Sequence, residues 1–304
     1  MTDTETRAGF VALIGEPNAG KSTMLNALVG AKLSIVTHKV QTTRGRIRGV
    51  LNVEADQVIF VDTPGLFAPK RRLDRAMVSA AWAGAGEADA VILLIDAQKG
   101  LSGGVKRIIE QYKQQISPEI PIAIAVNKID KVRRDSLLTL TTDITGLHDF
   151  DRIFYVSATR KDGLDDMVGW LRGLVPVGPW LYPEDQLGDS SMRSIAAELT
   201  REKLMLRLHQ ELPYQLTVGT DQWEDRKDGG VRIEQTIYIA KEGHRPIVLG
   251  KGGQTLKAVG QDSRKELAEM LGHPVHLFLH VKVDPRWLDD GERYAEMGLE
   301  LPKG

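Results

Sequence analysis

The chain has no cysteine among its 304 residues. That absence excludes disulfides, thiolate metal centres and cysteine nucleophiles, and it fits a reducing compartment. Neither charge is in excess: 40 Lys and Arg stand against 41 Asp and Glu, so any basic surface for a polyanion must be local. Long apolar runs are missing too, and the most apolar stretch, 90–95, is far too short to span a bilayer. The first eight residues are polar, with Asp3, Glu5 and Arg7, and lack the apolar core of a leader. There is no internal repeat and no long low-complexity tract.

What is present is an ordinary composition, 42% hydrophobic and 27% charged, on a chain long for a single core, so two domains are expected. In the first half, apolar runs at 10–14, 47–52, 57–61, 90–95, 122–126 and 153–156 alternate with helical patterns at 21–29, 73–85, 104–114, 135–145 and 164–174. Continuous apolar runs mark strands covered on both faces, and the alternation predicts a doubly wound α/β sheet. The stretch 174–183 holds three prolines and a glycine and reads as a linker. The second half has a different rhythm. An amphipathic helix is expected over 192–211, stopped by Pro213, then strands over 215–223 and 231–240 joined by the turn-rich 225–230. A short helix ending at Gly250, a helix over 254–271 and a strand over 275–283 follow.

The chemistry begins at Gly15-Glu16-Pro17-Asn18-Ala19-Gly20-Lys21-Ser22, with Thr23 next. Between a strand and a helix, this spacing turns backbone N–H groups around phosphate oxygens and adds the positive end of a helix dipole. Lys21 reaches the β- and γ-phosphates, and Ser22 can hold Mg²⁺. Asp62-Thr63-Pro64-Gly65, closing the strand 57–61, places a carboxylate for Mg²⁺ and a glycine N–H for a γ-phosphate, with Leu66 following. Asn127-Lys128-Ile129-Asp130 selects the base. The two acceptors of Asp130 match the N1–H and exocyclic amine of guanine, a donor pair that adenine lacks. Lys128 is expected to pack its stem over the ring, Asn127 to tie this loop to the phosphate loop, and Ser157-Ala158 to support the base through the Ala158 N–H. A switch threonine is expected in Val40-Gln41-Thr42-Thr43-Arg44. Thr43 is the choice and Thr42 the reserve, for Mg²⁺ and the γ-phosphate. His273, His276 and His280 are spread along a strand without acidic partners and are not read as a metal set.

These motifs, in this order over residues 8 to about 174, resemble the P-loop GTPases. One departure matters: where Ras-like members carry a water-orienting glutamine, this chain has Leu66. Slow unaided hydrolysis is therefore expected. In related GTPases with the Pro-Asn-Ala-Gly-Lys-Ser pattern, the asparagine helps hold a potassium ion against the phosphates, which makes Asn18 a candidate catalytic contributor beside Lys21, Thr43 and Gly65.

In the second half, Gly250-Lys251-Gly252-Gly253 lies between two helices, after two strands and before a third. That order resembles the type II KH module, whose G-x-x-G loop clamps the backbone of single-stranded RNA. Lys251 and Lys257 would add charge, and residues 241–288 hold eight Lys or Arg against five acids. The expected organisation is a GTPase domain over 1–176, a linker over 177–190 and an RNA-binding domain over 191–304.

The pairing resembles the Era family of bacterial GTPases over almost the whole chain, including Gln41-Thr42-Thr43-Arg44, Leu181-Tyr182-Pro183-Glu184-Asp185, Glu211-Leu212-Pro213-Tyr214 and Pro274-Val275-His276-Leu277. The resemblance implies GTP hydrolysis with Mg²⁺, binding near the 3′ end of small-subunit rRNA, action as a monomer in 30S subunit assembly, and a cytoplasmic location with partial peripheral association with the inner membrane. Rival readings are a metabolic P-loop ATPase or kinase, an assembly factor that uses GTP only as a clamp, and a membrane-recruited switch.

Overall fold

Alternating burial along the strands builds the first layer structure. In β1 (Arg7–Gly15), Val11 and Leu13 point to one face of the sheet while Ala12 and Ile14 point to the other. Both faces are therefore apolar and both are covered, as a buried parallel strand requires. The computed structural model describes residues 5–227 and 229–302. Its first sheet has the order β2-β3-β1-β4-β5-β6, with β2 (Ile47–Val53), β3 (Asp56–Asp62), β4 (Ala90–Asp96), β5 (Ile122–Asn127) and β6 (Arg152–Val156). All pairings are parallel except β2 with β3. Helices α1 (Lys21–Val29) and α5 (Leu164–Arg172) cover one face. Helices α2 (Arg72–Gly86), α3 (Gly103–Gln115) and α4 (Arg134–Thr145) cover the other. Because β1, β3, β5 and β6 run the same way, the four loops that follow them open on one edge of the sheet, where open α/β sheets bind ligands.

A second sheet has the order β7-β8-β9, with β7 (Leu216–Asp225) antiparallel to β8 (Val231–Ile239), and β8 parallel to β9 (Val275–Val283). A parallel pair needs a crossover. Here it is α7 (Arg245–Leu249), the loop Gly250–Gly253 and α8 (Gln254–Leu271). Helix α6 (Met192–Arg207) and α8 bury Leu204, Val259 and Leu267 against Ile233 and Ile237. The polar Gln235 in this core is held by Thr200 at 2.6 Å. A short helix, α9 (Gly291–Glu296), places Arg293 over the Tyr238 ring.

The structure departs from the sequence expectation in three places. Helix α6 ends at Arg207 rather than 211, because Leu208 turns extended (φ −86°, ψ 151°) and buries its side chain in the core. The stretch 177–190 is not a free tether. Gln57 accepts the Leu181 and Tyr182 N–H groups at 2.8 and 2.9 Å, and Val50 N–H donates to Leu187 C=O at 2.8 Å, so the segment is strapped along the β2–β3 edge. The chain divides into two units that are not contiguous in sequence: 5–34, 40–189 and 297–302 in one, 35–39 and 190–296 in the other. Within the first, Arg72 donates to Pro302 C=O, which holds the end of the chain. Within the second, Val36 N–H donates to the Glu202 carboxylate at 2.8 Å.

Candidate functional site

The site assembles on the sheet edge from backbone turns that few residues tolerate. Gly20 caps α1 in the left-handed region (φ 102°), and a Cβ there would collide with the Asn127 side-chain amide. Gly15 and Gly20 bracket the loop. Pro17 packs on Gly65, where an added Cβ would lie 2.9 Å from the proline ring. Asn18 also has a positive φ, 66°, which asparagine accepts more readily than most residues. The buried Lys21 ammonium donates to the Gly15 and Glu16 carbonyls at 3.1 and 3.2 Å. Burial pulls its pKa down to about 8, against the attraction of Asp62 and Glu16.

Beside it, three oxygens converge. Ser22 Oγ donates to Asp62 Oδ2 at 2.7 Å and shares a hydrogen bond with Thr43 Oγ1 at 2.8 Å. Thr43 itself reaches Asp62 Oδ2 at 3.2 Å. The structure thus brings Thr43 to the Ser22–Asp62 pair. Burial pushes the Asp62 carboxyl up, although Lys21 and the hydroxyls oppose it, and its Oδ1 is buried with no hydrogen-bond partner. An orphaned carboxylate oxygen among hydroxyls is a hard, oxygen-only donor set that suits Mg²⁺, which takes one or two carboxylates and completes its octahedron with other oxygens, from water and phosphate above all. Thr63 Oγ1 is used structurally, donating to Leu13 C=O at 2.7 Å, and Pro64 follows it buried on the same edge. Leu66 is buried, and its N–H donates to Gly15 C=O at 2.9 Å.

The base loop is tied to the phosphate loop as its sequence suggests. Asn127 Nδ2 donates to Ala19 C=O at 3.0 Å. Lys128, left-handed at φ 66°, lays its stem across to donate to Asn18 C=O at 2.7 Å and to Asp96 at 2.6 Å. Ser157 Oγ donates to Asp130 Oδ1 at 2.6 Å, which lowers the carboxyl pKa and leaves the second oxygen as an acceptor. The Ala158 N–H donates to Asn127 Oδ1 at 3.1 Å, which ties the 157–159 loop to the base loop. Sequence reasoning missed Ser34, which also donates to Asp62 Oδ2, at 2.8 Å. The only signal for it was Asn26, a polar residue inside α1, whose Oδ1 accepts the Leu33 and Ser34 N–H groups. It missed Asp96 as well, because an aspartate ending a strand reads as a turn.

In the second unit, Gly250 (φ 73°) cannot carry a side chain without striking Thr255, and Gly253 (φ 77°) caps α8 without a side-chain hydrogen bond. The Gln254 N–H that opens α8 donates to Lys251 C=O, and no side chain caps the turn that follows, where a phosphate would meet the positive end of the helix. Lys251 and Lys257 are exposed on either side of that cap, and Gly252 is exposed between them.

A phosphate loop, a Ser–Thr–Asp oxygen cluster and a carboxylate braced for guanine define a P-loop GTPase, and the second unit a KH module. The comparisons agree. A family model described as a 50S ribosome-binding GTPase matches residues 10–128, and one described as a KH domain matches 211–288. The chain is 58% identical over 299 residues to the GTPase Era of Dinoroseobacter shibae, covering 98% of this chain and 97% of that one. It is 53% identical over 312 residues to the GTPase Era of Rhizobium meliloti, covering 100% and 99%. Among solved structures, an alanine variant of Aquifex aeolicus Era bound to GDP·AlF₄⁻ is 37% identical with a TM-score of 0.90, covering 96% of this chain and 99% of that one. An Era complex with MgGDPNP and nucleotides 1506–1542 of 16S ribosomal RNA gives the same identity, TM-score and coverage. This chain belongs to the Era family of GTPases.

Proposed function

We propose that this chain is a GTP-hydrolysing switch that binds small-subunit rRNA near its 3′ end and acts, as a monomer, in 30S subunit assembly. The observation that carries the reading is the Ser22–Thr43–Asp62 oxygen cluster, because its members come from α1, from the 40–46 loop and from the end of β3. Bound Mg²⁺ would neutralise phosphate charge there. Ser22 and Asp62 would hold it, with Thr43 joining when a γ-phosphate is present. The Gly65 N–H and Lys21 would face that phosphate, so GTP orders the Thr43 and Gly65 segments and hydrolysis releases them. Asp130, with Asn127 and Lys128 bracing its loop, would read guanine. Leu66 cannot polarise water, so rapid turnover requires help from elsewhere. Asn18 is the candidate holder of a potassium ion that would stabilise developing charge. Hydrolysis is expected to run faster in KCl than in NaCl, and Asn18→Gly, which keeps the left-handed backbone, to remove the difference. Equal wild-type rates in the two salts would discard the ion.

The RNA half of the proposal is supported by the glycine loop at the start of α8 and by the Era complex that carries 16S rRNA nucleotides. If GTP favours the RNA-competent form, RNA must tighten GTP binding by the same factor. Crosslinking the GTP-loaded protein and sequencing the attached RNA tests this. Enrichment of the 3′ end of small-subunit rRNA is expected, and enrichment of unrelated RNA counts against it. Gly252→Asp places a negative charge where phosphates approach, and is expected to weaken RNA binding at least about tenfold while GDP affinity holds. Filter binding and fluorescent-GDP titration read the two, and a parallel loss of both would argue against separable sites. A cytoplasmic location with partial peripheral association with the inner membrane completes the proposal. Among the described residues no helix is long and apolar enough to cross a membrane.

A further inference from the structure

Asp74 is a buried carboxylate on α2 that none of the motifs accounts for. Its Oδ2 accepts the Lys70 and Arg71 N–H groups at 3.0 and 2.9 Å, which fixes the end of the exposed segment that runs on from Leu66. Its Oδ1 accepts Gln41 Nε2 at 2.8 Å. Gln41 stands two residues before Thr43 and has a left-handed backbone, φ 58°, a conformation that needs outside support in a residue other than glycine. One carboxylate therefore joins the loop that carries Thr43 to the segment that follows Gly65. A second strut runs parallel to it, from Arg46 Nε to Ala80 C=O on α2 at 3.0 Å.

We propose that Asp74 is a positioning residue for GTP hydrolysis. Through Gln41 it holds Thr43 over the Ser22–Asp62 pair, and through Lys70 and Arg71 it fixes the far end of the segment whose near end, Gly65–Leu66, lies against the phosphate loop. The inference rests on the GTPase reading above and deepens it. Its logic is that Leu66 supplies no polar group to the attacking water, so the geometry of the two segments must do that work, and both are anchored at Asp74. The tie is charge-assisted and half-buried, with Asp74 itself buried, so it is stronger than an exposed pair and costly to leave half made.

The bond direction supplies the test. Gln41→Glu sets two carboxylates face to face, and kcat is expected to fall at least about tenfold. Asp74→Asn keeps an oxygen for Lys70 and Arg71 and presents an amide to position 41. With Gln41 it loses no more than about threefold, because that side chain can turn to offer its oxygen. Combined with Gln41→Glu, Asp74→Asn restores a donor–acceptor pair with the direction reversed, and kcat is expected to recover to within about threefold of wild type. Asp74→Ala has no such rescue. Fluorescent-GDP affinity stays near wild type throughout, since Thr43 and Gly65 face the γ-phosphate that GDP lacks. Recovery in the double variant with GDP affinity unchanged supports the role. A double variant as slow as Gln41→Glu overturns it, as does wild-type hydrolysis by Asp74→Ala. So does loss of GDP binding in the variants alone, which would make Asp74 a folding residue. Failure of the unmodified chain to bind GDP would instead remove the GTPase reading and the positioning role with it.

Discussion

Asp130→Asn is expected to weaken GTP binding by about 10²–10⁴-fold and to raise affinity for xanthosine triphosphate. In the proposed site the carboxylate would face two donors of guanine, and hydrogen bonds to a charged group contribute about 1.5–3 kcal/mol each. An asparagine replaces one acceptor by a donor and sets it against the guanine amine, so one bond is lost and two donors are left unpaired. Xanthine carries a carbonyl in place of that amine, and the asparagine amide then pairs with it. Ser157 strengthens the wild-type arrangement. Its hydroxyl holds Asp130 Oδ1 at 2.6 Å and keeps the carboxyl pKa below its ordinary value, so guanine reading persists into mildly acidic solution. Titration calorimetry with GTP and xanthosine triphosphate measures both halves, and an unchanged GTP affinity would remove Asp130 from base recognition.

Lys21→Ala is expected to reduce single-turnover hydrolysis by about 10²–10³-fold, the usual cost of deleting one donor aimed at developing charge. The same lysine gives a pH signature. Burial lowers its pKa to about 8 in the nucleotide-free protein, whereas an unfolded lysine titrates near 10.5. Between those values the unfolded chain binds the extra proton, so the stability of the nucleotide-free protein rises with pH across that window. Below it both states are protonated, and the cost of burying the charge is borne in full. Nucleotide phosphates favour the charged form, so binding takes up a proton in the same window, and GDP affinity falls as pH rises from about 8, by at most about tenfold per unit. The alanine variant should lose both slopes. Affinity and melting temperature measured from neutral to alkaline pH decide the matter, and slopes that persist in Lys21→Ala would assign them to another group.

Several parts of this molecule were legible before any coordinates. The inner strands β1, β3, β4 and β5 announce themselves because each is largely apolar and buried on both faces. The phosphate loop is legible because its function resides in contiguous backbone. The crossover loop at 250–253 is legible from the order of elements around it. Other parts were not. Nothing in Gln41 or Asp74 distinguishes them from ordinary surface polar residues, and they are brought together only because the loop ahead of β2 and the first turn of α2 share one edge of the sheet. The hydrogen bond from the Ala158 N–H to Asn127, which joins two loops far apart in the chain, has no signature in the sequence. The stretch 177–190 has the composition of a linker, yet Gln57 holds its backbone N–H groups from the neighbouring sheet edge.

By itself the sequence pointed to the kind of ligand, the order of the strands and helices in the chain and the residues proposed to meet phosphate and base, because each depends on residue types at short spacing, where covalent geometry dictates what can meet. Only the tertiary structure decided that Thr43 joins Ser22 and Asp62, that Asp62 keeps one oxygen without a hydrogen bond among the described residues, and that Asp74 ties the two loops beside them. Those facts depend on distances between segments far apart in the chain, which no local pattern encodes and which are set by how both faces of the sheet are packed.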